Sequence, residues 1–181
     1  MNRTARHPLL RRALPAALLL AACVGVRWVD AALTQPPASR WWKGNLHTHS
    51  LWSDGDDYPE MITDWYRSHG YHFLALSDHN VLLQGQRWID PVKSRGGIAA
   101  LERYRARFGP GWVEERGEGK TRTVRLKPLS EFGPLFTEPE RFLLIPSEEL
   151  TDHFGRKPVH LNATKIRELI PPQGGKRVVE V

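Results

Sequence analysis

The sequence predicts an α/β fold. Two apolar runs, Tyr71–Ser77 and Phe142–Ile145, read as buried strands, and helical patterns over 57–70 and 97–108 stand beside them. Histidines and carboxylates gather where the predicted strands end, the place where α/β folds build their sites. The composition agrees with a globular domain: 40% hydrophobic and 25% charged residues in 181 exclude wholesale disorder. A single cysteine excludes an internal disulfide framework and a Cys-rich zinc ribbon.

The formal charge of +6 points at first to a nucleic-acid partner. Residues 1–22, however, hold Arg3, Arg6, Arg11 and Arg12 and no acid, followed by an apolar run from Ala13 to Val26. A basic segment before an apolar stretch too short to span a bilayer reads as an export signal. Four of the excess charges belong to it, so the argument for nucleic acid largely goes with them. Leu20-Ala21-Ala22-Cys23 resembles a bacterial lipobox, with Cys23 as a lipidated N-terminus. Val29-Asp30-Ala31 suits an ordinary signal peptidase instead. The position of the only cysteine favours the first. The expected organisation is a signal over 1–22, a tether over 23–40 with Pro36-Pro37, and a domain over 41–181. The expected location is extracytoplasmic, in the periplasm or at the cell surface, with a lipid anchor at Cys23.

Within the domain, Leu46–His49 reads as a strand with both histidines on one face, because strand side chains alternate. Asp57 and Glu60 have capping-box spacing around Pro59, and Gly70 ends the helix, whose predicted core face is Ile62, Trp65, Tyr66 and His69. Trp112–Arg116 and Thr121–Leu126 predict a hairpin around Gly117-Glu118-Gly119. Val159–Ala163 alternates, with His160 and Asn162 sharing a face. Lys165–Ile170 reads as a helical turn and Val178–Val181 as the start of a strand. Gly119-Lys120-Thr121 echoes a P-loop ending, but Glu114 stands where its first glycine belongs. Imidazoles and carboxylates without thiols suit a Zn, Mn or Fe hydrolytic centre.

Five blocks in order carry a family resemblance: His47-Thr48-His49-Ser50, Ser53-Asp54-Gly55, Ser77-Asp78-His79-Asn80, Pro146-Ser147-Glu148-Glu149-Leu150-Thr151 and Val159-His160-Leu161-Asn162. Together, over about residues 41–164, they resemble the PHP (polymerase and histidinol phosphatase) metallohydrolases. The lead-in Trp42-Lys43-Gly44-Asn45 is similar to an extracytoplasmic subgroup of that family. The resemblance implies a distorted (β/α)7 TIM-like barrel holding two or three divalent metal ions. It implies His47, His49, Asp54, His79, Glu149 and His160 as metal ligands, with Glu149 preferred to Glu148, and Asp78 orienting a ligand imidazole.

The implied activity is metal-dependent hydrolysis of a small-molecule phosphate ester by a metal-bridging hydroxide. The alternative is a non-phosphate ester, amide or carbamate at the same site. Arg67, Arg87 and Arg95 are equivalent candidates for holding a substrate phosphate. After His160 the sequence has no histidine, cysteine or aspartate, whereas the family draws further ligands from later strands. The length also falls short of the roughly 250 residues of a closed barrel. An incomplete barrel is therefore expected, with a catalytically incomplete fragment or binding remnant as the third reading.

Overall fold

The computed structural model describes residues 39–177. The expected signal, Cys23, most of the tether and the strand at Val178–Val181 lie outside them. Two sheets share one core. The larger contains β1 (Gly44–Asn45), β2 (Phe73–Leu76), β6 (Leu143–Phe154) and β7 (Lys157–Thr164), in that spatial order. The smaller, antiparallel sheet has β5 (Thr123–Leu126) between β3 (Arg87–Ile89) and β4 (Glu115–Arg116). The α-helices among the described residues are α1 (Pro59–Ser68), α2 (Gly97–Phe108) and a single turn, α3 (Leu129–Phe132).

A (β/α)7 barrel is not formed, and this corrects the expectation. Only β1, β2 and the first part of β6 run parallel. Phe154 pairs directly with Lys157, so two residues turn the chain back on itself, and Gly155 supplies the positive φ at +62° that the turn needs. A connection that short can join only antiparallel strands. His160 thus lies on an antiparallel hairpin rather than on another parallel barrel strand, and β3, β4 and β5 form a separate sheet.

Alternation divides the larger sheet into two unlike faces. Leu74 and Leu144 are register partners and are buried beneath the core of Trp52, Tyr58, Leu101, Tyr104, Leu126 and Phe132. The neighbouring pairs, Phe73 with Leu143 and Ala75 with Ile145, point the other way. Leu143 is 54% exposed and Leu46 46%.

Several elements follow the local reading. Helix α2 begins and ends at the expected residues, and the hairpin forms with its turn at Gly117–Thr121. The P-loop echo is a 3-10 turn there, with no buried residue. Strand β3 had no local signal, being three residues long and stabilised by pairing with β5. Lys165–Ile170 forms no helix: the Ile166 N–H bonds the Pro146 carbonyl and the Ile170 N–H bonds the Glu148 carboxylate.

Helix α1 departs from its expected cap. Tyr58 is the N-cap, with Pro59 behind it, and no side chain caps the helix. Glu60 turns inward, fully buried, and accepts hydrogen bonds from the Tyr104 hydroxyl at 2.6 Å and the Trp112 indole at 3.1 Å. The buried positions of the helix are therefore Pro59, Glu60 and Thr63, while Trp65 is exposed.

Burial raises the Glu60 pKa above its ordinary value, since the interior disfavours the charged form. A carboxyl whose folded pKa is raised contributes fully below the unfolded pKa and loses its contribution as pH rises towards the folded one. Replacing Glu60 by Gln removes this titration. The melting temperature of Glu60→Gln relative to wild type is expected to rise between pH 4 and pH 7. A difference independent of pH in thermal unfolding followed by circular dichroism would contradict this account.

Candidate metal centre

The candidate residues arrive from three directions. His47 and His49 lie on the extended segment after β1, which is tied to the end of β2 by the Ser77 N–H bonding the Thr48 carbonyl at 2.8 Å. The expected strand over Leu46–His49 is displaced to Gly44–Asn45 by a bend at Leu46. His79 follows β2 and forms a parallel bridge with Glu149 on β6. On β6 and β7, Thr151 stands opposite His160 and Glu149 opposite Asn162, which puts all four on one face. The face of the sheet turned away from Leu74 and Leu144 thus carries Phe73, the fully buried Ala75, the exposed Leu143 and Ile145, and then the candidate ligands at its end.

The turn from Ser50 to Gly55 brings in Asp54. Asp78 is fully buried on the opposite side and accepts from the Ser50 N–H and hydroxyl, both at 2.8 Å, and from the Ser53 hydroxyl at 2.6 Å. These bonds go to the turn, not to an imidazole, so Asp78 acts on the cluster through the loop that carries Asp54. A Cβ on Gly55 would lie 2.5 Å from the His49 carbonyl oxygen and 2.6 Å from the Ser50 Cα. Only glycine permits that closure.

Each ring nitrogen of His49 and His79 faces a carboxylate oxygen. His49 Nδ1 is 2.7 Å from Asp54 Oδ1, and its Nε2 is 2.8 Å from Glu149 Oε2. His79 Nε2 is 3.5 Å from Asp54 Oδ1, and its Nδ1 is 3.0 Å from Glu149 Oε2. His47 Nε2 lies 3.3 Å from the same Glu149 oxygen and 3.1 Å from His49 Nε2. His160 Nδ1 lies 3.0 Å from Glu149 Oε1.

A neutral imidazole has one N–H to donate. Two neutral rings therefore have two protons for the four contacts that His49 and His79 make with carboxylates. Glu149 Oε2 is buried and accepts no hydrogen bond of proper geometry, although three imidazole nitrogens surround it. Lone pairs converging on shared points suit cations held between them. Among the described residues, three groups have ligand atoms within 4.8 Å of one another: His47 with His49 and Glu149, His49 with Asp54 and His79, and His79 with Glu149 and His160. All six sequence-expected ligands are included, and each pair of groups shares one residue.

The hydrogen bond to His49 is the largest cause holding the Asp54 carboxyl below its ordinary pKa, with His79 and Arg95 adding attraction. Arg95 also donates to the Asp54 carbonyl at 2.8 Å. It is thereby distinguished from Arg67, which pairs with Glu138 and Asp64, and from Arg87, which lies over the Trp52 ring. His69 bonds the Trp65 carbonyl at the end of α1, and His72 Nδ1 accepts the Lys43 N–H.

Asn80 and Thr151 have supporting roles that motif matching did not assign. Asn80 adopts φ +50°, a conformation Asn tolerates better than most residues. Its amide donates to the Thr151 carbonyl and accepts the Thr151 N–H, both at 2.8 Å, so the side chain pairs like a strand residue. The Thr151 hydroxyl is in contact with His79 Nδ1 and lies 3.4 Å from His160 Nδ1. The available signal was Asn80 itself, a residue suited to left-handed backbone directly after a candidate ligand.

Asn80→Ala removes both bonds and places a Cβ-bearing residue without a compensating amide at positive φ. A loss of about 2–3 kcal/mol is expected in urea unfolding. A loss below about 1 kcal/mol would show that the amide does not brace the strand. In comparisons with known proteins, the chain matches no family model and none of the curated proteins.

Proposed function

We propose that this chain is a metal-dependent hydrolase with PHP-type motifs, acting on a phosphate ester. The observation that carries the metal reading is the buried Glu149 Oε2, which has three imidazole nitrogens around it and no hydrogen bond. His47, His49, Asp54, His79, Glu149 and His160 would hold two or three ions of Zn, Mn or Fe. Such ions, when bound, lower the pKa of coordinated water and neutralise charge on a phosphoryl oxygen.

The protein's own contribution is placement. Asp78 fixes the Ser50–Ser53 turn, and Asn80 fixes Thr151 against His79. Ser50 and Ser53 direct their hydroxyls to Asp78, which argues against either as a nucleophile. His47 and Asp54, each about half exposed with side chains at 51% and 55%, leave the cluster open to a substrate from solvent. Arg95 stands beside Asp54, where a guanidinium would meet a phosphoryl oxygen bidentately. The basic and apolar N-terminal segment supports an extracytoplasmic address.

Equilibrium dialysis against Zn, Mn and Fe(II), followed by elemental analysis, is expected to leave at least one tightly held ion per chain. Glu149→Ala is expected to weaken retention at least tenfold while the far-ultraviolet circular dichroism stays native. Absence of retained metal in the wild type would overturn the metal reading. Nitrophenyl phosphate is expected to be turned over in preference to nitrophenyl acetate. The reverse preference would overturn the phosphoester reading and favour the ester, amide or carbamate alternative.

A further inference from the structure

A groove of about 410 Å³ begins at Ser53 and Asp54 and continues between β3 and the turn before α2, past Arg87, Asp90, Lys93 and Arg95. That volume suits a small molecule. Its cations divide by position. Arg95 Nη1 lies 3.6 Å from Asp54 Oδ2, at the end shared with the candidate metal centre. Arg87 and Lys93 also line the groove, with Lys93 Nζ 3.5 Å from Asp90 and the Arg87 guanidinium 5.8 Å from the Trp52 ring centroid.

Asp90, the groove's acid apart from Asp54, is engaged by its own turn: Oδ1 accepts the Val92 N–H at 2.9 Å and the Lys93 N–H at 3.4 Å. The turn is braced further by the Ser94 N–H bonding the Asp90 carbonyl at 2.9 Å. Three cations, Arg87, Lys93 and Arg95, against two carboxylates, Asp54 and Asp90, leave the groove with one positive charge in excess. An ester whose only anionic group is the phosphoryl at the metal centre reaches Arg95 but leaves Arg87 facing only the Trp52 ring and Lys93 with only Asp90, a carboxylate shared with the backbone N–H groups of its own turn.

We infer that the groove selects a phosphate ester whose leaving group carries its own anionic group, a carboxylate or second phosphate, received by Arg87 and Lys93. The phosphoryl group lies at the metal centre beside Arg95. The inference rests on the hydrolase reading and names its substrate class.

The test compares phenyl phosphate with 3- and 4-carboxyphenyl phosphate, which differ by one carboxylate on a rigid ring. With metal-loaded protein, kcat/KM is expected to be at least tenfold higher for one of the carboxylated esters. In the double variant Arg87→Ala, Lys93→Ala that ratio is expected to fall to about one. Calorimetric binding to metal-free protein gives a readout independent of turnover. There the same carboxylated ester is expected to bind more tightly than phenyl phosphate, with the advantage lost in the double variant and weakened by salt. Equal binding and equal kcat/KM for all three esters in the wild type would overturn the inference. So would a preference that survives the double substitution. If no ester is hydrolysed but the Arg87- and Lys93-dependent binding preference is found, the hydrolase reading falls and the anion groove stands.

Discussion

The arrangement depends on one buried carboxylate. Asp78 has no exposed surface and collects the Ser50 N–H, the Ser50 hydroxyl and the Ser53 hydroxyl, while its own carbonyl accepts the Glu149 N–H at 3.1 Å. One residue thereby joins the turn carrying Asp54, the end of β2 and the strand carrying Glu149. Burying a carboxylate is unfavourable unless its oxygens are supplied with donors, and here the turn between His49 and Asp54 supplies them. The geometry of the candidate centre thus follows from the requirement to satisfy Asp78. The loop cannot relax outwards without leaving that carboxylate short of partners.

Strand alternation explains why neighbouring residues have such different tasks. Leu74 and Leu76 face the packed core, and two residues later Asp78 is also buried on that side. His79 falls on the opposite face, where Leu143 and Leu46 remain exposed. The candidate ligands therefore occupy the end of a surface the core does not cover, so the same alternation that completes the core leaves the cluster accessible.

The parts legible in sequence were those encoded over a few residues. Alternation placed His47 with His49, and His160 with Asn162; the helix pattern placed Gly97–Phe108; the ordered motifs gathered all six candidate ligands that the fold brings together. What escaped depended on partners far along the chain. Glu60 has capping-box spacing, but Tyr104 and Trp112 draw its carboxylate inward from 44 and 52 residues away. Strand β3 exists because Val124, Arg125 and Leu126 pair with it. The barrel expectation failed at Gly155-Arg156, where a tight turn reverses the chain at the point where a parallel architecture needs a long crossover. Asp78 lay within a recognisable motif, yet its partners are hydroxyls of the preceding loop, which no local pattern could single out.

The overlap of the three ligand groups has a consequence for the chain as a polymer. His49, His79 and Glu149 each belong to two groups, and the set runs from His47 to His160 across most of the described residues. An ion held there would tie together residues far apart in the chain, and would favour the folded state because the unfolded chain does not present the assembled site. Because the groups share members, a second ion would meet one of its ligands already immobilised, and binding it would cost less conformational freedom than the first. If the proposed ions bind, loading and folding would be linked equilibria, and the sheet's resistance to unfolding would depend on the free ion concentration around it.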